Sequence, residues 1–346
     1  MSYENIIIGN KKIGLQFPVY IIAEIGSNHN QDLDIAFEMI EKSAKAGADA
    51  VKFQGIRFDQ LYNKNLEDKK LKEWFKKIEL NEDWYEKLHL KASNCGVDFL
   101  CSPTYKRSLD LLCKLDVPAI KIASPQVQGD PYLLKDAASS GKPLILSLGY
   151  CDYGEILKAI KICENQHNKN IILLHCISKY PSLPEEMNLK FINTLELMFK
   201  KPVGFSDHSI GNTMSIAAVA LGAKVLEKHV TLNTNSEGPD HHFAMNFEQF
   251  ENYVRSIRDT EKAIESSTRI NFLSEELEYR NNVKLKMVSK TNIEKNEQIN
   301  ENNVMFLRAS KDGVELNDFK NFETLFSRTS IPKDTLIKWK DLKFSL

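Results

Sequence analysis

The chain lacks the marks of a disulfide framework, a membrane span and a nucleic-acid surface. Its 346 residues hold six cysteines, Cys95, Cys101, Cys113, Cys151, Cys163 and Cys176, none in CxxC spacing. Scattered thiols, several inside apolar runs, read as buried and reduced, which excludes a disulfide scaffold and a zinc knuckle. Net charge is only −1, so no global basic field favours nucleic acid or an anionic membrane, and any anion must be held by local charges. No apolar run approaches the ~20 residues of a membrane span. The start, "MSYENIIIGNKKIG", lacks the apolar stretch of a signal peptide. No GxGxxG follows the first strand-like segment, which counts against a dinucleotide fold. The expectation is a cytoplasmic protein with no membrane and no nucleic-acid partner.

What is present is a repeated alternation of short apolar strand, polar loop and amphipathic helix. Strands are expected at "YIIAEIG" (20–26), "ADAVKFQ" (48–54), "VDFLCSP" (97–103) and "AIKIAS" (119–124). Four more follow at "PLILSLG" (143–149), "IILLHCIS" (171–178), "VGFSDHS" (203–209) and "VLEKHVTL" (225–232). Between the first two, Ile35, Met39, Ile40 and Ala44 recur at helical spacing, and Gly47 ends the segment. Near-continuous apolar strands separated by helices make a parallel sheet covered on both faces, and eight units of this length fit a (β/α)8 barrel better than an open sheet.

Residues 1–19 read as an N-terminal hairpin turning at "GN". After about 280 the pattern changes. "NIEKNEQINENNV" (292–304) and "SIPKDTLIKWKDL" (330–342) share one arrangement of Ile, Lys, Asn or Asp, and Ile, offset by 38 residues. Such a repeat predicts a small β-module with pseudo-twofold symmetry. The expected organisation is a barrel over 1–280 and the module over 281–346.

The strand ends carry the chemistry. In barrels of this kind the reaction site lies at the C-terminal ends of the strands. Those ends hold Glu24, Lys52 and Gln54, Ser102, Lys121 and Ser124, Ser147, Ser178 and Tyr180, Ser206, Asp207 and His208, and Glu227 with His229. A charged residue in an apolar strand is costly unless paired or bound to a ligand, and four such strands point to a functional mouth. His208 and His229, on the adjacent seventh and eighth strands, are the candidate metal ligands. Imidazole suits manganese, iron, cobalt or zinc, and two protein ligands leave positions open for water and substrate; two hydrogen-bonded mouth histidines are the bland alternative. Two lysines among many hydroxyls suit a phosphate and a carboxylate. A lysine forming a Schiff base, as in an aldolase, stays open. "EGPDHHF" (237–243) delivers Asp240 toward the mouth, with His241 and His242 equally readable as solvated loop residues. His175 reads as a satisfied core histidine and His89 as a helix-face residue.

Over nearly its whole length, through "AEIGSNHNQDLDIAFEMIEKSAKAGADAVKFQ", "KIAS", "GFSDHS", "VLEKHVTL" and "GPDH", the sequence resembles the sialic acid synthases. These condense phosphoenolpyruvate with an N-acetylated hexose. The C-terminal module resembles that family's antifreeze-like (SAF) domain. The resemblance implies a (β/α)8 TIM barrel followed by a β-rich SAF module, and a divalent metal, manganese first with cobalt or magnesium as alternatives, on His208 and His229. It implies phosphoenolpyruvate contacts from Lys52, Ser102, Lys121, Ser124, Ser147, Ser178, Tyr180 and Ser206, and sugar contacts from Gln54, Asp240 and Arg308. Arg308 would come from the SAF module of a partner in a domain-swapped homodimer. Glu24 is the candidate catalytic group, with Glu227 in reserve and Gln126 in the position where the family carries a glutamate.

The departures from the family pattern concentrate on the sugar side. Ser124-Pro125-Gln126 stands for Ser-Gly-Glu or Ser-Phe-Glu, Ser147-Leu148-Gly149-Tyr150 for Ser-Thr-Gly-Met, and Ser178 for an asparagine. "NNVKLKM" lacks the arginine and aromatics often found at the start of the SAF domain. A different aldose, or a modified deoxyhexose, is therefore an open acceptor. A non-catalytic sugar-binding relative is the remaining alternative, with Gln126 in its favour.

Overall fold

Each expected strand forms, and the order of the sheet follows the order of the chain. The structure is a computed structural model that describes residues 4–63, 68–266, 268, 271–309, 312–321 and 324–344. Its contacts divide it into Met1–Glu265 and Ser266–Leu346, whereas the sequence reading set the division near 280. In the first unit a hairpin, β1 (Ile6–Ile8) and β2 (Lys11–Ile13), turns at Gly9, whose φ of 56° is in the left-handed region. The first three residues of the expected hairpin segment lie outside the described ones.

Eight parallel strands follow: β3 (Tyr20–Gly26), β4 (Ala50–Gly55), β5 (Asp98–Pro103), β6 (Ile120–Ile122), β7 (Leu144–Ser147), β8 (Ile171–Cys176), β9 (Val203–Asp207) and β10 (Val225–His229). The ladder runs β5-β4-β3-β10-β9-β8-β7-β6, so the first and last strands of the set pair and the sheet curls round as a barrel. At β5 and β6 the two strands are neighbours without a ladder between them.

Helices wrap the outside. Leu33–Lys45 starts at Asp32, whose carboxylate accepts from the backbone N–H groups of Asp34 and Ile35, and buries Ala36, Met39 and Ile40 against the strands. The chain leaves it through Gly47 at φ 91°. Alternate strand residues point into the barrel. Near its base these are apolar: Tyr20, Ile22, Ala50, Leu100, Ala119, Ile145, Ile172, Leu174 and Val225, packed with Ile6, Ile8 and Ile13 of the hairpin. The hairpin thus closes the base with branched side chains.

The second unit contains the helix Ser274–Asn282 and four short strands: β11 (Leu285–Ser289), β12 (Val304–Arg308), β13 (Phe326–Ser327) and β14 (Leu342–Lys343). The sequence repeat becomes structural symmetry here. Ile293 and Ile331, its counterpart 38 residues on, each donate to the other's carbonyl, at 2.9 and 2.8 Å. Asn296 and Asp334 both take left-handed φ, 69° and 59°, which short amide and carboxylate side chains tolerate. Ile299 with Ile337, and Val304 with Leu342, bury their apolar ends in one small core.

Candidate active site

The same inward face that is apolar at the base becomes charged at the mouth. Two residues beyond Ile22 comes Glu24, two beyond Ala50 comes Lys52, two beyond Leu100 comes Ser102, and two beyond Val225 comes Glu227. The period of two that fills the barrel therefore also aims these groups at one another. Gly204 marks the crowding between the layers: a Cβ there would lie 2.3 Å from the Val225 carbonyl oxygen and 2.6 Å from a Leu174 methyl carbon.

A compact charge lattice lines the mouth. Lys52 Nζ lies 2.9 Å from Glu24 Oε2 and 3.6 Å from Glu227 Oε1, and donates to Ser102 Oγ at 3.1 Å. Lys121 Nζ faces Glu227 Oε2 at 3.4 Å. Ser206 donates to Glu227 Oε1 at 3.0 Å, and the Gln54 amide donates to Glu24 Oε1 at 2.7 Å. All four charged side chains are at most 5% exposed, so their solvation comes from one another.

The two carboxylates are not equivalent. Burial pushes Glu24 upward, only partly opposed by Lys52. Burial also raises Glu227, but Lys121 and Lys52 on either side outweigh it and hold the carboxyl below its ordinary range. Burial lowers Lys121 more than Glu227 restores it. For Lys52, Glu227 and Glu24 together overcome the burial and raise it. One carboxyl thus keeps its charge while the other is poised to carry a proton.

His208 and His229 face each other across this lattice with ring centroids 5.6 Å apart. His208 Nδ1 is 2.7 Å from the Ile177 carbonyl oxygen. That contact fixes Nδ1 as the N–H donor and leaves Nε2 as the ring's acceptor, 3.4 Å from Ser206 Oγ. His229 Nδ1 is buried without a hydrogen-bond partner, and Asp240 Oδ2 stands 3.7 Å away. Burial moves His208 down to about 4 and also lowers His229, with His208 adding to the effect, so both rings are neutral bases near neutral pH. Two neutral imidazoles, one with an orphaned buried nitrogen, fit a divalent transition cation. Among the described residues no group of three His, Cys, Asp or Glu side chains forms a closed cage, so the pair would leave most coordination positions open.

Glu24, Lys52, Gln54, Ser102, Lys121, Ser124, Gln126, Ser147, Ser178, Tyr180, Ser206, His208, Glu227 and His229 all line one cavity of about 500 Å³. Asp240 reaches it through His229, and burial raises its carboxyl to about 7, with Glu24 adding to the effect. Tyr180 lies against His208 with the rings tilted by 33° and centroids 4.2 Å apart. Ser124 Oγ accepts the Gly149 N–H at 2.9 Å, so part of its capacity serves the backbone. Arg308 sits exposed on β12 in the second unit. His241 is a pin between loops: Nδ1 is 2.7 Å from Thr231 Oγ1 and Nε2 is 3.0 Å from Asn30 Oδ1. His242 is exposed. His175 meets the Met187 carbonyl at 2.6 Å, as a core histidine should.

The sequence reading missed a whole wall. Ile56, Leu61, Tyr62, Trp74, Phe75 and Ile78, from the connection after β4, line the cavity, beside Tyr150 after β7, which the sequence reading did single out as a departure on the sugar side. Their apolar spacing looks like a helix packing on a barrel, and nothing in one dimension says that the helix leans over the mouth. Phe243 was missed too; it packs on His229 and Tyr180 with centroids at 4.9 and 5.5 Å.

Comparison with known proteins gives one consistent answer. An N,N'-diacetyllegionaminic acid synthase of Legionella pneumophila is 34% identical over 97% of this chain and 98% of its own. A pseudaminic acid synthase of Campylobacter jejuni is 34% identical over 84% of this chain and 88% of its own. The crystal structure of an N-acetylneuraminic acid synthetase from Leptospira borgpetersenii superposes with a TM-score of 0.73 at 33% identity, over 80% of this chain and 96% of that one. Residues 39–269 match the NeuB family. With the barrel order, the charged mouth and these relatives in agreement, the chain belongs to the NeuB family of sialic acid synthase-like proteins.

Proposed function

We propose that this protein condenses phosphoenolpyruvate with the open-chain form of an N-acylated or deoxy aldose, releasing phosphate and yielding a nonulosonic acid for a surface glycan. The observation that carries the reading is the cavity in which two ammonium groups, two carboxylates and two neutral imidazoles converge, in a chain whose relatives bear the names of nonulosonic acid synthases. Lys52 and Lys121, with Ser102, Ser124, Ser147, Ser178, Tyr180 and Ser206, would hold the phosphate and carboxylate in line, mainly by positioning and fixed charge. A divalent cation, manganese in the first instance, would sit on His208 and His229 and supply Lewis-acid polarisation of the aldehyde oxygen.

The enol carbon C3 of phosphoenolpyruvate forms the new bond to the aldehyde carbon, whose oxygen takes up a proton, and positive charge develops at C2. Glu227, kept ionised by two lysines, suits stabilisation of that charge. Water adds at C2, and Glu24, with its raised proton affinity, suits receipt of the water's proton. The resulting tetrahedral centre breaks its C–O bond to phosphate while its C2 hydroxyl passes its proton to the departing phosphate, and leaves an α-keto acid. Gln126 can donate and accept hydrogen bonds in this cavity but cannot take the proton. Gln54 and Asp240 would bind acceptor hydroxyls. The second unit would act as the SAF module, offering Arg308 to the mouth of a partner in a domain-swapped homodimer, and the enzyme would work in the cytoplasm.

The test is phosphate release by metal-stripped protein with phosphoenolpyruvate, with and without manganese, across N-acylated and deoxy aldoses. Manganese-dependent release with one class of sugar supports the reading; absence of both release and phosphoenolpyruvate binding overturns it. One observation favours a second reading: burial lowers the Lys121 ammonium, as a Schiff-base lysine requires. Inactivation by borohydride in the presence of pyruvate would select that reading.

A further inference from the structure

Two charged residues of the histidine-bearing strands lie outside the cavity. β9 runs through Ser206 and Asp207 into His208, and β10 ends in Glu227, Lys228 and His229. Side chains alternate along a strand, so Ser206 and Glu227 face the mouth while Asp207 and Lys228 turn outward. Neither lines the cavity, and no step of the condensation uses them. Two positions back on the same outward face stand Phe205 and Leu226, part of the apolar core between sheet and helices. Asp207 and Lys228 are register partners on the two strands. Lys228 Nζ lies 3.0 Å from Asp207 Oδ2, with the two side chains 1% and 0% exposed.

A dry ion pair on an apolar face calls for a reason. Replacing such a pair by apolar side chains of similar size is often neutral or stabilising, so net stability does not account for it. The surrounding hydrogen bonds do. Asp207 Oδ1 accepts the Ser209 N–H at 2.8 Å and the Ser209 hydroxyl at 2.6 Å, a turn closed by an aspartate on the residue two positions on. Lys228 Nζ donates to the Ser209 carbonyl oxygen at 2.6 Å. One member of the pair thus holds the Ser209 backbone at its N–H, and the other holds it at its carbonyl. His208 lies inside that turn, and its own carbonyl accepts the Ser182 N–H at 3.2 Å.

The Lys228 ammonium therefore ties one histidine's segment to the other's strand. Ser209 immediately follows His208, and Lys228 immediately precedes His229. The 5.6 Å between the two ring centroids depends on where these two strand ends are held. Further out, the network ends on helices. Ser215 Oγ, on Thr213–Ala220, donates to Asp207 Oδ2 at 2.6 Å, and accepts from the Tyr253 hydroxyl of Phe247–Ile264 at 3.0 Å. Tyr253 reaches the pair only through Ser215, so it separates support of the core from support of the histidines.

Resting on the metal reading above, we propose that Asp207 and Lys228 are positioning residues: the pair sets the separation of His208 and His229 and thereby the affinity of that site for a divalent cation. Neither side chain touches the cation, the substrates or the reacting atoms. Groups that orient metal-binding imidazoles from behind are worth about 10- to 100-fold in metal affinity.

The experiment uses the full chain. Lys228→Met removes the tether, and Lys228→Met combined with Asp207→Asn removes both charges, so that no unpaired carboxylate is left buried. Tyr253→Phe trims only the outer network. Manganese affinity is read from the spin-resonance signal of the free ion, and phosphoenolpyruvate affinity is titrated separately without metal. Nuclear magnetic resonance of the imidazole nitrogens reports the pair in metal-free protein, with His208→Gln and His229→Gln assigning the signals. Both Lys228 variants should bind manganese about 10- to 100-fold more weakly, with phosphoenolpyruvate affinity unchanged and the His208 and His229 signals shifted. Tyr253→Phe should lower the denaturant midpoint and keep the parent's manganese affinity. Unchanged manganese affinity in the double variant, or an equal loss in Tyr253→Phe, overturns the proposal. A parent protein that binds no manganese overturns the metal reading instead, and the imidazole spectra then decide the positioning: shifted signals in the double variant support it, and unchanged signals overturn it.

Discussion

Lys52 Nζ stands 2.9 Å from Glu24 Oε2, an ion pair formed by register neighbours on β3 and β4 with both side chains almost wholly removed from water. The pair is only part of a chain of charge, because Lys52 also faces Glu227, and Glu227 faces Lys121. Glu24→Gln keeps the shape and the hydrogen bond from Gln54 but removes the proton acceptor. Phosphate release should fall by about 10²- to 10⁴-fold, with phosphoenolpyruvate affinity nearly unchanged. Steady-state rates with parallel binding titrations check this; an unchanged rate removes Glu24 from proton transfer.

Glu227 carries a different burden. Its Glu227→Gln variant leaves Lys52 and Lys121 buried with one carboxylate between them instead of two. Breaking a buried ion network in this way costs about 3–5 kcal/mol. Denaturant unfolding should register that loss, while Ser206→Ala, which removes one hydrogen bond to the ionised Glu227, should cost less, about 1.5–3 kcal/mol.

The imidazole pair predicts stoichiometry. Equilibrium dialysis against manganese should give one ion per chain, lost in His208→Ala and in His229→Ala. Chelation should abolish phosphate release, and returned manganese should restore it. Retained stoichiometric binding in either variant would move the ion elsewhere.

Gly149 is a place where a methyl group does not fit. A Cβ there would lie 2.1 Å from Ser178 Oγ and 2.8 Å from Cys176 Sγ. Gly149→Ala should cost about 1–3 kcal/mol through overpacking and raise the KM for phosphoenolpyruvate, since Ser124 and Ser178 must move together. An unchanged KM would show that these hydroxyls do not hold that substrate.

His29 gives a pH dependence away from the charged lattice. Burial lowers its ring to about 4 from an ordinary 6.5, and its Nε2 has no partner. The folded protein keeps the ring neutral while the unfolded chain protonates it. Its contribution is therefore intact above pH 6.5 and is lost as pH falls toward 4, at a cost of about 3 kcal/mol. Urea unfolding of His29→Gln against the parent between pH 7 and 4 should show a shallower acid loss in the variant. Parallel pH curves would mean that His29 is not the group responsible.

The barrel was legible because its signal is periodic. Apolar runs at β3 and β8 and helical spacing in Leu33–Lys45 are local properties, and charges such as Glu24 or Glu227 inside such runs stand out without any structure. The offset of 38 residues between Ile293 and Ile331 likewise predicted a symmetric module, and the two isoleucines do pair. The C-terminal strand ends were read two residues too long at β6, β7, β8 and β9 and three at β10, because the residue types just past each strand continue its pattern while the backbone turns to form the mouth.

By itself, then, the sequence determined the succession of strands and helices, the inward face of each strand and the residue types at the mouth, since each depends on spacing within a few residues. Tertiary structure alone decided which charges meet. Glu227 sits between Lys52 and Lys121, so it and Glu24 part in proton affinity although both are buried glutamates on strands. It also decided that Leu61, Tyr62 and Trp74 lean over the cavity and that His241 pins two loops. Those outcomes depend on the closing of the barrel, which brings residues some two hundred positions apart within about 3 Å, and on desolvation, which no single stretch of chain contains.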